Sequence, residues 1–263
     1  LVGGRWAAVL GVVIFCAGGT LGFVHLVSDL GDQGWRILWE LPRDYSRDPD
    51  SLLWMDNPSL SYLHAQRNGL FGLPLGLVAL TVLRCGVEER RPAAFATAGV
   101  LVGAVPLANG FAFVVPLAIA LAWAAMDPRR PWWRFFVPAL VLGLPVAWWL
   151  QPAESVVRWF PGWMAEDDAV GWVVFWGRNA GPFLLLLVAA CLWRGTVPGR
   201  MVRAFLPFWL LWIVPNLVAF HPWEWNNTKY FAFWQLVGSF LVGALLVRLA
   251  RDGLAGRVVV GRI

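Results

Sequence analysis

The segment His221-Pro-Trp-Glu-Trp-Asn-Asn-Thr-Lys229 carries the one lysine of a chain that has 21 Lys plus Arg. A lysine ammonium is a compact point charge, and here it stands beside two amides, a histidine and a carboxylate. If a helix opens at this point, its unbonded N–H groups and dipole add partial positive charge, and the set suits a phosphate or pyrophosphate. Asn226, Asn227 and Thr228 are each able to cap such a helix. Glu224 is the candidate acid or base, or simply the partner of Lys229. The competing reading places Trp223 and Trp225 in an aromatic belt, with Lys229 reaching lipid headgroups. Against it stands the choice of lysine in a chain that otherwise uses arginine.

Two further stretches repeat the pattern of a cation and an amide ahead of an apolar run: Trp176-Gly-Arg178-Asn179-Ala-Gly-Pro182 and Gln66-Arg67-Asn68. Boundary cations of this kind have a protein partner or a headgroup partner. Three such starts on one side could converge on a single anion, which makes Lys229, Asn227, Asn226, Arg178, Asn179, Arg67 and His221 the candidate lipid-phosphate-binding residues. His25, His64 and His221, taken with Asp29, Asp56 or Glu224, lack helical metal-ligand spacing. Asn109 reads as a turn residue. The pair Asp167-Asp168 keeps a divalent cation possible, and no cofactor is identified. The Walker phosphate loop, the dinucleotide fingerprint, the Gly-x-Ser-x-Gly elbow and the His-Glu-x-x-His motif are all missing from the sequence. No apolar run carries a central Asp or Glu, which weighs against proton-coupled transport.

The elements that must position these residues are membrane helices. The chain is 59% hydrophobic and 14% charged with 19 Trp, where soluble domains average about 25% charged. The net charge of +5 comes from arginines spread over short loops, not from one basic, aromatic-rich patch, so nucleic acid is not the partner. Cys16, Cys85 and Cys191 show neither disulfide nor metal spacing. Eight apolar runs, at 6–27, 68–83, 93–107, 110–126, 135–150, 182–193, 204–220 and 230–249, predict an all-α polytopic transmembrane bundle in one domain. Several are shorter than a full span. The break Pro106-Leu-Ala-Asn109-Gly110 predicts a tight helical hairpin.

Alternate loops of this bundle collect fourteen Lys and Arg on one side and seven on the other, while twelve of the sixteen acids lie on the less basic side. The basic side is therefore cytoplasmic, with both termini, in an inner cell membrane. Segments 28–67, 107–110, 151–181 and 221–229 face outward. Gly34-Trp-Arg-Ile-Leu-Trp-Glu40 and Val170-Gly-Trp-Val-Val-Phe-Trp176 suit pieces lying in the interface.

Gln66-Arg67-Asn68-Gly-Leu-Phe-Gly-Leu-Pro-Leu, Gly103-Ala-Val-Pro-Leu-Ala-Asn-Gly, Phe175-Trp-Gly-Arg-Asn-Ala-Gly and Pro222-Trp-Glu-Trp-Asn-Asn-Thr-Lys229 together resemble prokaryotic polytopic proteins related to GT-C-type membrane glycosyltransferases, in their C-terminal portion. The resemblance implies sugar transfer at the outer face from a polyprenyl-phosphate-linked donor. It places Lys229, Asn227 and Arg178 near the donor phosphate and the catalytic acid in an outer loop upstream of Leu1. The family pattern reads Trp-Asp-Asn-x-Lys where this chain has Asn226, which removes an acid from that position. The leading expectation is thus a membrane glycosyltransferase-like protein. The alternatives are a transporter or flippase-like protein for lipid-linked or anionic solutes, and a non-catalytic membrane subunit.

Overall fold

The computed structural model describes residues 4–45, 48, 53–55, 57, 68–150, 157–165, 171–193 and 195–260, with backbone alone at 164 and 254–260. The described chain is helical almost throughout. Its helices are α1 (Arg5–Ala17), α2 (Phe23–Gln33), α3 (Gly69–Glu89), α4 (Pro92–Ala104), α5 (Gly110–Met126), α6 (Trp133–Trp149), α7 (Gly171–Leu192), α8 (Gly199–Phe205), α9 (Leu210–Ile213) and α10 (Thr228–Val260). Three helical stretches, Gly69–Glu89, Gly171–Leu192 and Glu224–Gly253, are long and apolar enough to cross a membrane. Shorter apolar helices occupy Arg5–Ala17, Pro92–Leu107, Gly110–Met126 and Trp133–Trp149. The chain divides into two compact units, one made of 1–61, 161–203 and 235–263, the other of 62–160 and 204–234.

In the second unit, α4 packs on α6 and α3, and α3 packs on α5. The contact of α4 with α6 is set by Gly99 and Gly103. A Cβ on Gly99 would strike the carbonyl oxygen of Phe135, and one on Gly103 would come within 2.7 Å of the Leu142 Cβ. Small residues four apart let two backbones approach where no water-driven force holds helices together. The hairpin expected at 106–110 is present: a 3-10 turn Val105–Leu107 closes α4, and Asn109 caps α5 by accepting from the Ala112 N–H at 3.1 Å. An aromatic group of Trp209, Trp212 and Trp234, with centroids 5.7 to 6.0 Å apart, fills the unit near α9. Strands β1 (Arg158–Trp159) and β2 (Val218–Ala219) pair antiparallel as a two-residue ribbon.

Three of the expected spans take other forms. The run 6–27 is not one helix: α1 stops at Ala17, Gly18 is extended (φ −68°, ψ 152°), and α2 begins only at Phe23. Two consecutive glycines and Thr20 interrupt it, since glycine gives a helix interior little to hold. The run 204–220 is broken into α8, α9 and 3-10 turns at Leu206–Trp209 and Val214–Asn216, each turn containing a proline. Helix α7 starts eleven residues before Pro182, yet bends there, because Gly181 has non-helical angles (φ 51°, ψ −137°).

The bend in α7 has a local explanation within the first unit. Proline lacks an N–H, so Pro182 leaves the carbonyl of Arg178 without its helical partner. The Leu21 N–H, released by the interruption after α1, donates to that carbonyl at 2.7 Å. The other end of the interruption is held by Asn57, whose Nδ2 donates to the carbonyl oxygens of Cys16 and Gly18. The Leu21 N–H thus satisfies the carbonyl that Pro182 frees, and the Asn57 amide satisfies two carbonyls at the end of α1.

Candidate anion-binding site

Lys229 is 9% exposed and is the only cation among the buried polar residues described. Its Nζ lies 4.1 Å from the centroid of the Phe111 ring. None of the ion pairs among the described residues includes it. A buried charge is ordinarily paired, and among the described residues this ammonium has an aromatic ring beside it and no carboxylate.

The same ring organises the neighbourhood. Phe111 is the second residue of α5, set by the Asn109 cap. It meets the Tyr230 ring edge-on at 5.9 Å and the His221 ring at 6.2 Å. His221 Nδ1 accepts from the Trp223 N–H at 3.0 Å, so the neutral ring carries its proton on Nε2, a donor with no partner among the described residues. The hairpin at 107–110 and the segment 221–229, both read from charge as outward, thus meet in one unit.

Helix geometry alters one expectation. Lys229 does not stand among free N-terminal amides, because a 3-10 turn, Glu224–Asn227, runs directly into α10 and Thr228 N–H bonds the carbonyls of that turn. The Thr228 hydroxyl donates back to the Trp225 carbonyl at 2.8 Å instead of capping α10. The positive character of the site therefore resides in the lysine itself.

The other predicted residues separate by what their side chains already hold. Asn227 is fully buried; its Nδ2 donates to the carbonyls of Pro215 and Val218, both at 2.8 Å, and its Oδ1 accepts from the Phe220 N–H at 3.4 Å. Its amide is committed to the backbone, so it positions the turn ahead of Lys229. Asn226 is half-buried with no side-chain partner among the described residues. Glu224 pairs with Arg158, whose guanidinium also sits over Phe160 at 4.5 Å.

Arg178 and Asn179 belong to the first unit. Asn179 is buried, accepting from the Trp54 and Met55 N–H groups at 2.7 and 2.8 Å and donating to the Phe175 carbonyl at 2.8 Å. It too is a structural amide. The Arg178 side chain is exposed. Gln66 and Arg67 lie outside the described residues, as do His64, Asp56 and the Asp167-Asp168 pair. Among the described residues no three His, Cys, Asp or Glu side chains come together as a metal site.

In the first unit, Asp29 forms a polar cluster that sequence reading mentioned only as a metal candidate. It accepts from Tyr45 Oη at 2.7 Å and from Arg43 at 2.9 and 3.0 Å. The hydrogen bond from Tyr45, with Arg43 beside it, holds the Asp29 carboxyl below the usual carboxylate range. Phe111 and Arg158 were likewise not singled out from sequence; only their positions, just after an outward hairpin and in an outward loop, pointed to them. No family model, curated protein or solved structure matches this chain.

Proposed function

We propose that this chain is a glycosyltransferase-like membrane protein that binds the phosphate of a polyprenyl-linked sugar donor at Lys229, on the outer face of an inner cell membrane. The observation that carries the reading is a nine-tenths buried lysine with no acidic partner among the described residues, set over the Phe111 ring that His221 also meets. An anion entering there would supply the missing counter-charge, and the fixed ammonium would stabilise charge developing on a departing lipid phosphate. The arginine asymmetry of the loops supports the outward orientation and cytoplasmic termini. The apolar runs of the sequence support eight crossings, including the shorter apolar helices, with α2 and the Trp35–Leu38 turn lying in the interface. Exposure of Phe23, Val27, Trp35 and Trp39 fits that arrangement.

A second reading, binding and movement of a lipid-linked or anionic solute without chemistry, is favoured by the interruption of α7 at Gly181, since discontinuous helices build transporter sites. The deciding measurement is transfer of labelled sugar from a polyprenyl-phosphate donor by membranes carrying the full protein or its Lys229→Ala variant. Transfer that falls at least tenfold in the variant supports the first reading. Unchanged transfer removes Lys229 from the site, and donor binding with no transfer favours the second reading.

A further inference from the structure

Among the described residues the Lys229 ammonium is held by a ring, where most buried ammoniums are held by an acid. A carboxylate in the place of Phe111 would fix the side chain equally well, but it would cancel the charge and leave nothing to attract an anion. The face of an aromatic ring attracts a cation through its quadrupole and carries no net charge. We propose that Phe111 is the positioning residue of the Lys229 site: its ring holds the ammonium in place while leaving the positive charge available to an anionic ligand. This rests on the anion-binding reading above and adds to it the residue that makes tenable a buried lysine with no acidic partner among the described residues.

The ring is itself fixed from several sides. Asn109, 3% exposed, caps the turn that carries Phe111, and it fits only because Gly72 lacks a side chain: a Cβ there would come within 2.5 Å of the Asn109 Cβ. Tyr230 meets the ring edge-on and His221 lies against it. These contacts hold the ring while the Lys229 Nζ sits 4.1 Å from its centroid.

Because Lys229 is the sole lysine in this sequence, mass spectrometry of the peptide containing residue 229 reads the rate at which an amine acylating reagent modifies it, with no second lysine nearby to confuse the signal. The full chain in detergent is compared with Phe111→Leu and Phe111→Tyr, with no ligand, farnesyl phosphate, farnesol or inorganic phosphate. Without ligand, acylation of Lys229 is expected to be roughly fivefold faster in Phe111→Leu and close to wild type in Phe111→Tyr, which keeps the ring. Farnesyl phosphate is expected to protect the wild type more than farnesol does, and to be needed at higher concentration in Phe111→Leu. A Phe111→Leu rate equal to wild type, or a Phe111→Tyr rate equal to Phe111→Leu, overturns the role of Phe111 whatever the ligands do. Equal protection by farnesol and farnesyl phosphate overturns the anion reading and leaves the ligand-free comparison to judge Phe111. Protection by inorganic phosphate as strong as by farnesyl phosphate supports the anion site and overturns its lipid-linked ligand. Phe111→Met serves the same comparison if Phe111→Leu fails to fold.

Discussion

Arg158 and Glu224, 66 residues apart in the chain, form an ion pair that ties the strand β1 segment to the turn leading into α10. Both side chains are partly exposed, and such pairs contribute about 0.2–1 kcal/mol. Glu224→Gln is therefore expected to lower unfolding stability by no more than about 1 kcal/mol and to leave sugar transfer within a few-fold of wild type. A folded Glu224→Gln protein with transfer reduced a hundredfold would instead make Glu224 the acid or base.

Asn227 and Lys229 are two residues apart and should respond in opposite ways. Asn227→Ala leaves one buried carbonyl, one part-buried carbonyl and one part-buried N–H without their partner, and a lost buried partner costs about 1–3 kcal/mol. Stability in detergent should fall clearly. Lys229→Met removes a buried charge with no acidic partner among the described residues and keeps the apolar stem, so stability should hold or rise while anion binding falls about tenfold or more. Thermal unfolding of the two variants, run beside donor binding, checks the contrast. A large loss of stability in Lys229→Met would show that its contact with Phe111 is needed for folding.

Much of the second unit was legible in the sequence because its signals are local. The hairpin at 106–110 rests on turn chemistry, and α5 occupies Gly110–Met126 as the apolar run predicts. Helix ends and interruptions were less legible, because they depend on distant partners. Gly181 bends where it does because Leu21, far away in sequence, satisfies the Arg178 carbonyl. The same limit applies to the site. Asparagines 179 and 227 look like ligand donors in sequence, and only the fold reveals that backbone groups of other segments have taken up their amides. Lysine 229 stood out by composition alone, whereas Phe111, one of 17 phenylalanines, acquires meaning only from the ammonium above it.

The Asp29 cluster predicts an acid-sensitive contact. The carboxyl of Asp29 is lowered by Tyr45 and Arg43, so its contribution is present above the unfolded-state pKa, about 3.9, and is lost as pH falls through the lower folded value. Tyr45 is shifted upward, by burial first and by Asp29 second; its contribution is complete below pH ~10 and is lost only as pH rises through the raised value. The clip should thus be closed across the neutral range. Hydrogen exchange in segment 43–45 should be unchanged from pH 5 to 9, after correction for intrinsic rates, and should speed up in Asp29→Asn at any pH. Equal exchange in Asp29→Asn and wild type would show that the clip does not hold this segment.

The bend of α7 predicts different outcomes at adjacent positions. Gly181 has φ 51° and ψ −137°, a conformation that residues with a Cβ rarely adopt, and a Cβ there would come within 2.9 Å of the end of Leu21. The leucine tip can yield, so the backbone is the main cost, and Gly181→Ala should destabilise by about 1–3 kcal/mol. Pro182→Ala acts otherwise, by restoring an N–H that can return to the Arg178 carbonyl within a straightened helix. That donor would compete with the Leu21 N–H, which now bonds the carbonyl at 2.7 Å. The Leu21 amide should therefore exchange several-fold faster in Pro182→Ala. If its exchange were unchanged, the contact between the interrupted α1 segment and α7 would not depend on the missing proline donor, and the bend would rest on Gly181 alone.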